Sequence, residues 1–236
     1  MNDPRLYCIL DLGYTPEESA EEVTASLLAG GADILQLRAK NHDLATIRRV
    51  AEKLLPLCRA AGVPFILNDF PALAGEIGAD GVHIGQDDGP LADAKHQLER
   101  GIHSGLHSFI HPSSSPIPNP QSPISSPFII GRSTHSLDQA RAALIEGFDY
   151  IGFGPLFPTP TKAGRPAIGL QEISIMEKEV GSKIPAFYIG GITPGTLPQV
   201  LAAGGRRVVV VSALLQAPDI QTATREIRTT LQDQSL

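Results

Sequence analysis

Eight short apolar runs, each followed by a longer amphipathic segment, alternate along nearly the whole chain. The runs fall at 6–10, 34–37, 65–67, 81–83, 128–130, 150–153, 186–189 and 208–211. Their length and apolar character suit strands buried in a sheet. The segments between them have helical periodicity, at 16–29, 44–61, 71–77, 91–98, 137–146, 170–180, 196–203 and 220–231. Asp43 before Leu44 and Ser136 before Leu137 are suitable N-caps, and Gly30-Gly31, Gly147 and Gly204-Gly205 suit helix ends. Eight strand–helix units in 236 residues predict a single α/β domain, a (β/α)8 barrel, of a kind that typically takes about 250 residues. A doubly wound open sheet is the rival, but at this length it usually carries fewer strands.

One segment interrupts the rhythm. Residues 112–127 read PSSSPIPNPQSPISSP, where Pro and Ser leave little that can pack. The strand–helix alternation resumes on its far side, so a mobile insertion between helix 4 and strand 5 is expected, not a domain boundary. Just before it, His103, His107 and His111 recur every four residues, a spacing that would align three imidazoles on a helix. Gly105 and Pro112 oppose a helix there, which favours a solvated loop over a metal site.

Charge narrows the function classes. A net charge of −6 argues against a general nucleic-acid surface. An anionic ligand would need a local cluster of cations or a metal. No apolar run approaches the roughly 20 residues that span a bilayer. The first residues, Met1-Asn2-Asp3-Pro4-Arg5, lack the pattern of a signal peptide, so a cytoplasmic protein is expected. Cys8 and Cys58 belong to no CxxC pair and read as buried, reduced thiols. The oligomeric state is left open, a homo-oligomer included.

In such barrels the C-terminal strand ends build one shared active face. Polar residues cluster there. Strand 2 leads into Gln36, Arg38 and Lys40, which alternation sends to one side as an anion site. Strand 3 ends in Asn68-Asp69, and strand 4 in His83-Ile-Gly-Gln-Asp-Asp88. Carboxylates from two neighbouring strand ends beside two cations suit Mg2+, which takes few protein carboxylates and fills its shell with water and phosphate oxygens. Each aspartate taken alone reads first as a helix cap or loop-turn residue. Gly131-Arg132-Ser133-Thr134-His135-Ser136 follows strand 5, with its hydroxyls expected at the start of helix 5. The strand 6 loop, Gly152 to Gly164, holds Thr159, Thr161 and Lys162 among prolines and glycines; alone it is also a plausible stiff surface turn. Gly191 after strand 7, with Val211 and Ser212 after strand 8, occupies the usual phosphate grip of these barrels.

Together the segments QLRAK at 36–40, ND at 68–69, DGVHIGQDD at 80–88, GRSTH at 131–135, GFGPLFPTPTK at 152–162, GGI at 190–192 and VVS at 210–212 resemble the thiamine phosphate synthase family. They span most of the chain in the family's order. The resemblance implies a transferase of thiamine biosynthesis that joins 4-amino-2-methyl-5-hydroxymethylpyrimidine diphosphate to a thiazole phosphate and releases diphosphate. Carried over by position, Gln36, Arg38, Lys40, Asn68, Ser133 and Lys162 would hold the pyrimidine diphosphate. Asp69 and Asp88 would bind Mg2+, while Thr159, Thr161, Gly191, Val211 and Ser212 would hold the thiazole phosphate.

The implied reaction is a dissociative displacement at the pyrimidine methylene, in which diphosphate leaves and the thiazole nitrogen captures the cation. Such chemistry needs neutralisation of the leaving group by Mg2+, Arg38, Lys40 and Lys162, with Ser133 positioning the substrate, and no protein nucleophile. The chain departs from the family's pattern in its long Pro/Ser insertion and in Arg132, where a small or apolar residue is common. Two other functions are weighed against the synthase. A thiazole tautomerase of the same ancestry would need neither the paired aspartates nor the cations of strand 2. A non-catalytic barrel that binds thiazole or thiamine phosphate would be free to lose the metal and lysine positions, and none is lost.

Overall fold

Parallel strands covered on both faces must be apolar on both faces, and each must be followed by a crossover to return the chain to the same end. The computed structural model, which describes residues 3–104, 128–159 and 166–233, shows the result as a closed barrel. Its eight parallel strands stand in sequence order: β1 Leu6–Asp11, β2 Ile34–Arg38, β3 Phe65–Asn68, β4 Gly81–Ile84, β5 Ile129–Thr134, β6 Tyr150–Phe153, β7 Ala186–Tyr188 and β8 Val208–Val210. Pairing of β1 with β8 closes the ring. The helices are α1 Ala20–Ala29, α2 Leu44–Ala61, α3 Pro71–Ile77, α4 Leu91–Ser104, α5 Leu137–Glu146, α6 Ile173–Met176, α7 Leu197–Ala202, α8 Ser212–Leu215 and α9 Ile220–Asp233. Among the described residues no helix is long and apolar enough to cross a membrane.

Alternation along the strands sorts two cores. Tyr7, Ile9, Ile34, Ile66, Ile129, Tyr150, Phe187, Val209 and Val211 fill the barrel interior. Their neighbours, such as Cys8, Leu35, Leu67 and Val82, point outward to the helices. Both cysteines are free and buried, and burial pushes the Cys58 thiol up to about 12. The expected caps are present: Asp43 accepts from the Thr46 N–H at 2.7 Å, and Ser136 from that of Gln139 at 3.3 Å.

Several boundaries differ from the sequence expectation. Helix α4 runs past residue 98 to Ser104, because Leu91, Ala94, Leu98 and Gly101 continue one buried stripe at helical spacing. Gly101 permits close approach to α3, since a Cβ there would sit 2.1 Å from the Ala72 carbonyl oxygen. The segment expected as one helix at 170–180 is instead the short α6 followed by a π-helical turn, Glu177–Gly181. Strand β5 extends to Thr134. The short α8 after β8 was not anticipated. His103 lies in α4 with Nδ1 2.7 Å from the Glu99 carbonyl oxygen, whereas His107, His111 and the 112–127 segment lie outside the described residues.

Three aspartates lock the floor of the barrel. Each stands immediately before an even-numbered strand, in Gly31-Ala-Asp33, Gly78-Ala-Asp80 and Gly147-Phe-Asp149. The Asp33 carboxylate accepts from Leu6 N–H at 2.9 Å, Asp80 from Phe65 N–H at 2.8 Å and Asp149 from Ile130 N–H at 2.8 Å. Each aspartate's own N–H donates back to the carbonyl of the same residue, at 2.9, 2.9 and 3.0 Å. This reciprocal bolt satisfies a strand N–H at or next to the start of β1, β3 and β5 and sets the register of each against the next strand. Before β8 the equivalent place is held by Arg207, which pairs with Asp3 at 2.6 Å. Asp80→Ala should lower stability by about 1–3 kcal/mol by orphaning the Phe65 N–H, and Asp80→Asn by less because an acceptor remains. Urea denaturation of the two variants checks both the size and the order.

Candidate active site

At the C-terminal ends of the strands the barrel opens into a solvent-connected cavity. One wall carries Gln36, Arg38, Asn68, His83 and Ser133, and the opposite wall carries Gly190 to Ile192 with Val211 and Ser212. Gly154, Pro155 and Thr159 close the side between them. The inward alternation expected for Gln36 and Arg38 is therefore observed. Lys40 stands beyond the end of β2, half-exposed, with Nζ 4.0 Å from the Asp69 carboxylate.

Below the first wall a buried polar chain crosses the barrel. Gln36 Nε2 donates to the Tyr7 hydroxyl at 2.7 Å, and that hydroxyl lies 2.9 Å from the Tyr150 hydroxyl. Tyr150 reaches His83 Nδ1 at 3.0 Å, and His83 Nε2 reaches Ser133 Oγ at 2.9 Å. Burial pushes both phenols well above their usual range, so each keeps its proton. Among these contacts, one polarity leaves neither buried phenol proton without an acceptor: Tyr7 donates to Tyr150, Tyr150 to His83 Nδ1, and His83 Nε2–H to Ser133. That leaves the Ser133 hydroxyl proton to point toward a ligand. The packing needs glycine at 131, since a Cβ there would lie 2.0 Å from the Tyr150 ring.

Charge on the first wall is held by two arrangements. The Arg38 guanidinium donates to Asp11, a carboxylate only 3% exposed that also accepts from the Gly13 N–H at 2.9 Å. A bonded guanidinium at the cavity edge keeps its fork in one orientation. The second is the acidic pair. Asp69 has φ +67°, a left-handed backbone that costs a non-glycine residue energy, and its N–H donates to the His83 carbonyl at 2.9 Å. Its carboxyl group comes within hydrogen-bonding reach of Asp88. Burial first, and then the Asp88 charge, push Asp69 above the usual carboxylate range against the pull of Lys40 and Asn68. A partly buried carboxylate crowded by a second, exposed one is a donor pair that a small hard cation would relieve, so Asp69 and Asp88 fit Mg2+. Among the described residues no group of three or more His, Cys, Asp or Glu could hold a metal, so the other ligands would be water and substrate oxygens.

The loop after β6 is stitched to the end of β7. Leu156 N–H donates to Ile189 O at 2.9 Å and Phe157 N–H to Gly190 O at 3.1 Å. A Cβ on Gly191, at φ +66°, would lie 2.6 Å from Phe157 Cβ, so that close approach requires glycine. This seam places Thr159 on the cavity. Thr161 and Lys162 lie outside the described residues. One expectation is corrected here: the Ser133 and Thr134 hydroxyls are within β5, not at the start of α5. Ser133 turns into the barrel, and Thr134 turns outward to donate to Gly152 O at 3.1 Å, because strand alternation sends neighbours to opposite faces.

Comparison with known proteins bears on this geometry. The family model described as "Thiamine monophosphate synthase" matches residues 6–108 and 110–214. The thiamine-phosphate synthase of Thermus thermophilus is 41% identical over 226 residues, 95% of each chain. That of Methanocella arvoryzae is 36% identical over 224 residues, 94% of this chain and 92% of the relative. Among solved structures, the thiamine phosphate pyrophosphorylase of Pyrococcus furiosus superposes with a TM-score of 0.78 at 31% identity, covering 100% of this chain and 98% of that one. The chain belongs to the thiamine phosphate synthase family. It is thereby a transferase of thiamine biosynthesis.

The synthase framework includes four polar residues that sequence reading did not assign. Asp11 was missed because β1 was expected to end one residue earlier. His83 sat inside a quoted motif, and alternation with the outward Val82 could have found it. Tyr7 and Tyr150 had no signal, since an inward tyrosine in a strand reads as core. Tyr150→Phe should keep the fold while breaking the link to His83, lowering kcat/KM for the family's reaction about tenfold, or roughly 1.4 kcal/mol. Steady-state kinetics together with circular dichroism test this.

Proposed function

We propose that this protein condenses 4-amino-2-methyl-5-hydroxymethylpyrimidine diphosphate with 4-methyl-5-(2-phosphooxyethyl)thiazole to give thiamine phosphate and diphosphate. The supporting observation is that one cavity joins two chemically different walls, one carrying Arg38 with Gln36, Asn68 and Ser133 and the other built on Gly190, Gly191 and Ser212. On the first, Gln36, Arg38, Asn68 and Ser133 would hold the pyrimidine diphosphate, helped by Lys40 and by Lys162 from the strand 6 loop. On the second, Gly191, Val211 and Ser212 would hold the thiazole phosphate, with Thr159 and Thr161 at the seam. Asp69 and Asp88 would hold Mg2+, which when bound would neutralise charge on the departing diphosphate.

The residues divide the work by position. Arg38, oriented by Asp11, draws on the leaving diphosphate as its charge grows. Ser133, with its oxygen occupied by His83, donates its own proton to the pyrimidine partner. The opposite wall fixes the thiazole so that its nitrogen faces the methylene carbon as the bond to diphosphate breaks. The reading includes small-molecule substrates, no nucleic-acid partner and a cytoplasmic location.

Diphosphate release from the pyrimidine substrate, with and without thiazole phosphate and Mg2+, is the deciding assay. Release that requires all three supports the synthase. Tight binding of thiazole phosphate without release would instead support a non-catalytic barrel, and isomerisation of the thiazole phosphate alone a tautomerase. Lys162→Ala and Asp69→Ala should each cut turnover by about 10²-fold or more while the fold survives, the range found when one preorganised charge is removed. Near-wild-type rates in either variant would refute its assignment.

A further inference from the structure

Arg132 lies on β5 beside Ser133 and points away from the cavity, yet it is only 9% exposed. Its Nη1 donates to the Gly89 carbonyl at 2.6 Å and its Nη2 to the Gln86 carbonyl at 3.2 Å. The guanidinium also lies 5.3 Å from the centroid of the Phe148 ring. Among the described residues no carboxylate pairs with it. A nearly buried guanidinium thus spends its fork on two carbonyls that flank Asp88 in the chain.

The segment they belong to has a defined shape. Asp88 accepts from Gly85 N–H at 2.6 Å, its own N–H returns to Gly85 O at 3.4 Å, and Gly89 has φ +87°. Gln86 Nε2 adds a second tie, donating to the Ser133 carbonyl at 2.6 Å. The turn carrying Asp88 is therefore fastened to β5 through Arg132 and through Gln86. Since strand β5 also carries Ser133, the same fastening sets the placement of Asp88 relative to the Ser133 hydroxyl.

We propose that Arg132 is a positioning residue that holds the Gln86–Gly89 turn so that Asp88 meets Asp69 in metal-binding geometry. This rests on the reading that Asp69 and Asp88 bind Mg2+. A rigid fork across two carbonyls restrains the turn in a way that a single flexible ammonium does not. Outer-sphere groups of this kind typically change metal affinity by about 10–100-fold.

The test compares wild type, Arg132→Met, Arg132→Lys and Asp88→Asn. Mn2+ binding in the presence of inorganic diphosphate is read by electron paramagnetic resonance, beside KM for thiazole phosphate. Arg132→Met keeps a long unbranched apolar side chain and loses both donors. It should weaken Mn2+ binding about tenfold and leave the thiazole phosphate KM within about twofold, as expected for a residue that does not reach that wall. Arg132→Lys should fall between it and wild type, and carries the test alone if Arg132→Met does not fold. Mn2+ affinity unchanged in the Arg132 variants but weakened in Asp88→Asn would overturn the positioning role and leave the metal site standing. Equal loss of metal and thiazole phosphate affinity would overturn it too, because a general loosening of the barrel moves both. If Asp88→Asn binds Mn2+ like wild type, the metal reading falls, and with it the role of Arg132.

Discussion

The hydrogen-bonded chain from Gln36 through Tyr7, Tyr150 and His83 to Ser133 ties five of the eight strands together inside the barrel. A group buried there has no water to fall back on, so each donor must meet an acceptor already in place. The requirement runs in both directions. It fixes the rotamers of the side chains that face the cavity, and it admits only glycine at 131, where the Tyr150 ring fills the space of a side chain. The orientation of Gln36 and Ser133 at the cavity therefore depends on Tyr7, Tyr150 and His83, which link them.

Electrostatics divide the cavity more sharply than its shape does. The first wall holds one guanidinium already bonded to Asp11, together with Asp69, which burial first and the Asp88 charge second push above its usual range. The opposite wall is built from glycine backbone and small side chains at the ends of β7 and β8. A charged leaving group and a neutral ring carrying a phosphate would ask for different surroundings, and these walls differ in that sense. Between them the loop after β6 owes its path to β7, through backbone hydrogen bonds from Leu156 and Phe157.

Much of the architecture was legible because periodicity reports burial directly. The eight apolar runs became the eight strands, and Asp43 and Ser136 cap the helices that they precede. Where the reading slipped, a contact distant in sequence had intervened. Helix α4 extends because Gly101 packs on α3, and β5 extends because Ser133 and Thr134 are bonded to His83 and to β6. The Gly-x-Asp repeat before β2, β4 and β6 was visible in the letters but had no meaning until the reciprocal bonds to the preceding strand were seen.

The sequence alone determined the order of elements, the end of the barrel that carries the polar residues and the family to which the strand-end motifs belong, because each of these is written in local spacing. Tertiary structure decided what those residues do to one another. Arg132 could have reached toward a ligand or toward solvent on the letters alone; burial against Phe148 and two carbonyl partners turned it into a brace. Tyr7, Tyr150 and His83 are distant in the chain and became one conduit only when strand closure brought them within hydrogen-bonding reach. The physical reason is that alternation tells which way a side chain points, whereas its partner depends on which strands the barrel sets side by side.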